Sequence, residues 1–275
     1  MTIPVTIFIV IVITAAIAVP LIVIRTRHLR RAKLFRKPLA QDWTRILQDN
    51  VPIYARLPET LKPTLHGSIN LFLDDKEFIG CAGFEITDRV RLTIAGNACV
   101  LLLKQDDHEF HGFSSILVYP DTYVAEETTY DGLVESTHQS VRAGESWHRG
   151  PVILSWSDIE EDRLPEYKGH NVILHEFAHK LDEENTLMDG LPILRHPEDY
   201  QAWANVLRKE FQELRERVNK HKHTVLDEYA SVSPPEFFAV ATETFFEKST
   251  EMKDKLPELY EQLSKYYDLD PANWH

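Results

Sequence analysis

Apolar positions make the first divisions of this chain. From Ile3 to Ile24 there are 22 consecutive uncharged positions, mostly Val, Ile, Ala and Leu. As a helix that run is about 33 Å long, enough to cross a hydrocarbon core of roughly 30 Å. Pro4 and Pro20 fall in its first and last turns, where proline costs least. Arg25, Arg27, Arg30, Arg31, Lys33, Arg36 and Lys37 follow directly, and the positive-inside rule keeps such a flank cytoplasmic. The pattern predicts a transmembrane anchor over 1–24, a basic juxtamembrane linker over 25–40 resting on anionic headgroups, and one domain over 41–275. The rival reading is a cleaved signal peptide ending near Ala16-Ile17-Ala18. It lacks a basic leading region, and the apolar run continues past that point.

Beyond residue 40 the spacing turns helical. Trp43, Ile46 and Leu47 share a face, and Leu57 to Asp75 continues with Leu61, Leu65, Ile69, Leu71 and Phe72. Thr87 is placed to cap a helix through Lys104 whose buried row is Val90, Ile94, Ala98 and Leu101. Phe113 to Tyr119 and Val152 to Trp156 read as short strands. Trp203, Val206, Leu207, Phe211, Leu214 and Val218 line one side of a later helix, and two more run from Ser233 to about Lys248 and from Lys255 to Tyr267. These elements predict a mostly helical α+β domain with a small sheet.

Charge narrows the partners. Residues 1–37 carry seven Lys or Arg and no acid, so the remainder bears −20 where the whole chain bears −13. A domain that acidic is poorly suited to nucleic-acid phosphates. Cys81 and Cys99 match no metal spacing and read as core thiols.

The chemistry is concentrated in Asn171-Val172-Ile173-Leu174-His175-Glu176-Phe177-Ala178-His179-Lys180-Leu181-Asp182. Two histidines four apart on a helix point at one spot, which suits two ligands of a catalytic Zn²⁺ with Glu176 beside them as base. Leu174, Phe177, Ala178 and Leu181 form the stripe that buries this helix. The strand Val152 to Trp156, just before it, is expected to be a sheet edge that pairs with extended substrate. His138 and His148 have no partner at ligand spacing.

A catalytic zinc needs a third ligand. The metzincin pattern would place Gly at 182 and His at 185, where the chain has Asp182 and Asn185. Glu198 stands at a distance that fits a thermolysin-like ligand, but a first-turn acid favoured by the helix dipole is a sufficient reading of it. Glu236 lies in Asp227-Glu228-Tyr229-Ala230-Ser231-Val232-Ser233-Pro234-Pro235-Glu236. There Ser233 and Glu236 also make a Ser-x-x-Glu capping box with Pro234 at the first helical position. Spacing alone leaves cap and ligand level.

These segments resemble the Mlc titration factor A (MtfA) family of bacterial zinc peptidases, which resembles the catalytic domain of anthrax lethal factor. The likeness is carried by His175 to Asp182, Asp227-Glu228-Tyr229-Ala230, Glu236-Phe237-Phe238-Ala239-Val240 and Glu243-Thr244-Phe245-Phe246. Smaller echoes are Val118-Tyr119-Pro120 and Gly144-Glu145-Ser146-Trp147 leading to Gly150-Pro151-Val152. The resemblance implies a zincin-like fold with His175, His179 and Glu236 on one Zn²⁺, Glu176 as base and Tyr229 as hydrogen-bond donor to the oxyanion. Asp182 or Glu243 would take the second ring N–H of a ligand histidine. It further implies peptide or protein substrates, aminopeptidase activity and a link to a transcriptional repressor such as Mlc. With the apolar run, the expectation is an inner-membrane peptidase facing the cytoplasm; the alternative is a non-catalytic protein that sequesters the repressor.

Overall fold

The computed structural model describes residues 5–105, 108–121, 123–131, 134–142, 144–146, 150–164 and 169–274, and for residues 5–12, 15 and 123–146 the backbone alone. In chain order the helices are α1 (Val5–Phe35), α2 (Gln41–Asn50), α3 (Pro52–Arg56), α4 (Lys62–Asp75), α5 (Asp88–Ala98), α6 (Trp156–Glu161), α7 (Val172–Asp182), α8 (Asp199–Asn219), α9 (Pro234–Glu247), α10 (Ser249–Lys255) and α11 (Pro257–Tyr267). The strands are β1 (Glu77–Gly80), β2 (Ser115–Tyr119), β3 (Tyr123–Asp131), β4 (Val134–Arg142), β5 (Gly144–Ser146) and β6 (Val152–Ser155). The domain is α+β and mostly helical, as its apolar spacing predicts.

One sheet has the order β1-β2-β6-β5, with β1, β2 and β6 parallel and β5 antiparallel to β6. Strand β6 is therefore an interior strand. The expectation that Val152 to Trp156 forms a free edge is corrected: β5 covers it, and Trp156 already begins α6. Strands β3 and β4 make a separate antiparallel hairpin. His138 lies in β4 with its side chain outside the described residues, and His148 lies wholly outside them.

The core forms where the helices meet the sheet. Phe177 of α7 is fully buried against Phe72, Phe110 and Phe113, with ring centroids 5.6, 4.9 and 5.9 Å away. Burying each such ring contributes roughly 1.5–3 kcal/mol, so this cluster fixes one side of α7. Leu174, Ala178 and Leu181 complete the same stripe. Helix α9 packs across α7, and Phe237, Phe238, Phe245 and Phe246 are all buried. Helix α5 begins at Thr87, whose hydroxyl accepts the Val90 N–H, and Val90, Ile94 and Ala98 are buried as their spacing requires.

The amino-terminal helix continues past the apolar run. Within the segment expected to be a linker, Arg30 pairs with Asp74, and Arg31 with Asp75 and Glu109. The Asn70 amide donates to the Lys37 carbonyl at 2.7 Å. The end of α1 is thus docked on α4. Among the described residues no helix is long and apolar enough to cross a membrane, so the expected transmembrane helix is not supported. Residues 1–4 of the expected anchor lie outside the described residues, as do the side chains of 5–12 and 15.

Candidate metal centre

Helix α7 starts at Asn171, whose side-chain oxygen accepts the Leu174 N–H. One turn later His175 and His179 project from the side opposite the phenylalanine cluster. Their rings meet edge to face, with centroids 4.8 Å apart. Helix α9 supplies the third group. The Ser233 hydroxyl accepts the Glu236 N–H at 3.4 Å, as the capping pattern predicts. The Glu236 carboxylate turns to the two imidazoles instead of completing the box. Ser233 therefore caps the helix and leaves Glu236 available as a ligand.

The three donor atoms form a small triangle. His175 Nε2 is 3.0 Å from Glu236 Oε2 and 3.2 Å from His179 Nε2, and His179 Nε2 is 3.4 Å from Glu236 Oε2. Three ligands each about 2.0–2.1 Å from a tetrahedral Zn²⁺ stand about 3.3 Å from one another. The donor types and spacing fit such an ion. Among the described residues this is the only group of three or more His, Cys, Asp or Glu side chains gathered closely enough to hold a metal. Glu198, the rival carboxylate, is exposed at the start of α8 and is not in the group.

Glu176 and Glu243 frame the triangle. Glu176 is buried, and its Oε2 has no hydrogen-bond partner among the described residues. Burial raises its pKa, helped by Glu236 and opposed by His175, His179 and Lys180. A buried carboxylate beside the three donor atoms is placed to take and return a proton. Glu243 lies two helical turns after Glu236, so both face the same way. Its Oε1 is 2.8 Å from His175 Nδ1, while Glu236 meets the other ring nitrogen. Burial alone would lower the His175 pKa, but these two carboxylates hold it well above its ordinary value. Glu236 is correspondingly held well below the usual carboxylate range by His175 and His179, against the effect of burial.

Of the two acids expected behind the ligands, Glu243 takes His175. Asp182 accepts the Gly190 N–H at 2.8 Å, and burial pushes its carboxyl up to about 6. Gly190 has φ of +77°, and a Cβ there would stand 2.5 Å from the Pro234 carbonyl oxygen. Only glycine permits that close approach, which brings the loop after α7 against the start of α9.

Tyr229 stands at the mouth of the site, 51% exposed, with its ring 6.0 Å from that of His175. Asp227 holds the turn that carries it by accepting the Tyr229 N–H at 2.8 Å. Asn171 and Lys180 are not singled out by the ligand pattern, yet both anchor the metal helix. Asn171 is recognisable as a cap, an Asn directly before an apolar helical run. Lys180 carries no such signal, since a lysine at that position reads as solvent-exposed.

Residues 25–268 match the family model described as glucose-regulated metallo-peptidase M90. An uncharacterized protein of Synechocystis sp. is 45% identical over 88% of this chain and 89% of its own length. Mlc titration factor A of Yersinia pestis and that of Yersinia pseudotuberculosis are each 30% identical, over 86% of this chain and 88% of theirs.

Proposed function

The chain belongs to the M90 metallopeptidase family, with Mlc titration factor A among its relatives, and from that premise we propose a zinc peptidase centred on His175, Glu176, His179 and Glu236. The observation that supports it is the triangle of donor atoms 3.0, 3.2 and 3.4 Å apart with an unpaired Glu176 oxygen buried beside it. When bound there, Zn²⁺ acts as a Lewis acid and brings the pKa of a coordinated water toward neutrality. Glu176 takes the proton as the peptide carbonyl is attacked and delivers it to the leaving amine. Tyr229 donates its hydroxyl proton in a hydrogen bond to the developing oxyanion. Glu243 keeps the His175 ring oriented. Substrate enters extended along β5, the edge strand that lies against α7.

Replacing Glu176 with Gln keeps the ligands and removes the base. The variant is expected to bind zinc as the wild type does and to hydrolyse none of a peptide panel; turnover near the wild-type rate would reject this role. Aminopeptidase action follows the family resemblance, and comparing free with amino-blocked peptides in the same panel tests it. The relatives' name favours a second reading, binding of a transcriptional repressor such as Mlc. That interaction needs no proton transfer, so Glu176→Gln should retain it. A membrane location with the domain in the cytoplasm rests on the sequence of residues 1–37 alone, and recovery of the full chain in the soluble fraction would reject it.

A further inference from the structure

Asn171 uses its backbone and its side chain on two acids of the same helix. Its N–H donates to Glu243 Oε2 at 2.7 Å, while Glu243 Oε1 is the oxygen that faces His175 Nδ1. Its side-chain Nδ2 donates to Glu247 Oε1 at 2.8 Å and to Asn97 Oδ1 at 3.0 Å. Its Oδ1 accepts the Leu174 N–H at 3.1 Å, capping α7. Glu247 is one turn after Glu243 on α9, and its other oxygen is 3.1 Å from Arg56 Nη2 of α3. A chain of hydrogen bonds thus runs from Arg56 through Glu247, Asn171 and Glu243 to the ring of His175. Asn171, Glu243 and Asn97 are buried, so these bonds face little competition from water.

Capping does not require this residue type. Ser or Asp caps a helix about as well as Asn. Only a short amide offers an acceptor for the cap together with two donors for Glu247 and Asn97. The demand for those donors comes from α9 and α5 and not from α7 itself.

We propose that Asn171 is a positioning residue for the metal centre: its amide fixes the start of α7 against α9, so that its backbone N–H orients the Glu243 carboxylate toward His175. The inference rests on the metal reading above. It explains why the cap of the metal helix reaches across to Glu247. Partners behind a metal-bound histidine typically govern affinity by about 10–100-fold.

The test is zinc affinity of the full chain, by competition with a chromophoric chelator, beside thermal unfolding of the metal-free proteins. Asn171→Asp retains the cap and the shape but faces Glu247 with an oxygen, and Asn171→Ser retains the cap with one hydroxyl donor in place of the two amide donors. Each is expected to weaken zinc binding by about 10-fold or more. Asn171→Asp combined with Glu247→Gln rebuilds the bond with donor and acceptor exchanged, and should recover most of the lost affinity. A residue that only capped α7 would show neither the loss in Asn171→Asp nor the recovery. Wild-type zinc affinity in both single variants overturns the inference alone. A wild-type chain that binds no zinc overturns the metal reading and the inference with it.

Discussion

Replacing Lys180 with methionine would remove the ammonium that pairs with the buried Glu183 carboxylate. The lysine side chain is 1% exposed, and its Nζ is 2.9 Å from Glu183 Oε2, itself on a buried residue, and 3.2 Å from the Gly150 carbonyl oxygen. Burial lowers the pKa of this ammonium while Glu183 raises it, the balance expected of an ion pair taken out of water. Deleting one partner of a buried pair costs about 3–5 kcal/mol, because the other charge stays desolvated. For a chain of this size that corresponds to a fall in Tm of about 6–20 °C. Removing both charges in Lys180→Met with Glu183→Leu should recover much of the loss, since an apolar pair of similar volume often substitutes without penalty. Urea and thermal unfolding of the wild type, both single variants and the double variant make a complete cycle. A single-variant loss below about 1 kcal/mol, or a double variant no better than Lys180→Met, would refute the burial argument.

Two further substitutions separate folding from chemistry. Burial pushes the Asp162 carboxyl up to about 7, against the Val172 N–H that it accepts. Its ordinary value is near 3.9, so between these limits the folded chain holds a proton that the unfolded chain has released. Its contribution is complete below about pH 4 and is lost as pH rises to about 7. Asp162→Asn should therefore flatten the decline in unfolding free energy between about pH 4 and 7 by an amount on the order of a few kcal/mol; an unchanged slope would show that Asp162 does not titrate there. Tyr229→Phe should lower kcat by about 10²–10³-fold with zinc affinity unchanged, and a wild-type kcat would remove Tyr229 from the oxyanion site.

The metal helix is legible in the sequence because one period serves two purposes. Leu174, Phe177, Ala178 and Leu181 bury one side, and His175 and His179 occupy the other. The capping pattern at Ser233 is ambiguous from spacing, since a glutamate three residues after a cap satisfies both a box and a ligand set. Tertiary contact resolves it: the helix is capped by Ser233 alone, and the Glu236 carboxylate goes to the histidines. The sheet is harder to read. Strand β1 is four residues long and largely exposed, so it has little apolar alternation to detect. Strand β6 looks like an edge in chain order, but the three-residue β5 pairs outside it. The helix expected from Leu57 begins at Lys62, the one expected from Lys255 begins at Pro257 as α11, and α10 before it was not expected. Pro63 and Pro257 mark these starts, each in the first turn where a missing N–H costs nothing.

Two imidazoles of α7 and one carboxylate of α9 are placed to grip a single divalent ion. Zinc analysis of the purified full chain, beside a Glu236→Ala variant passed through the same chelator wash, tests it most directly. One zinc per wild-type chain is expected, with loss of that zinc from the variant. A variant that retains zinc as firmly as the wild type would contradict it.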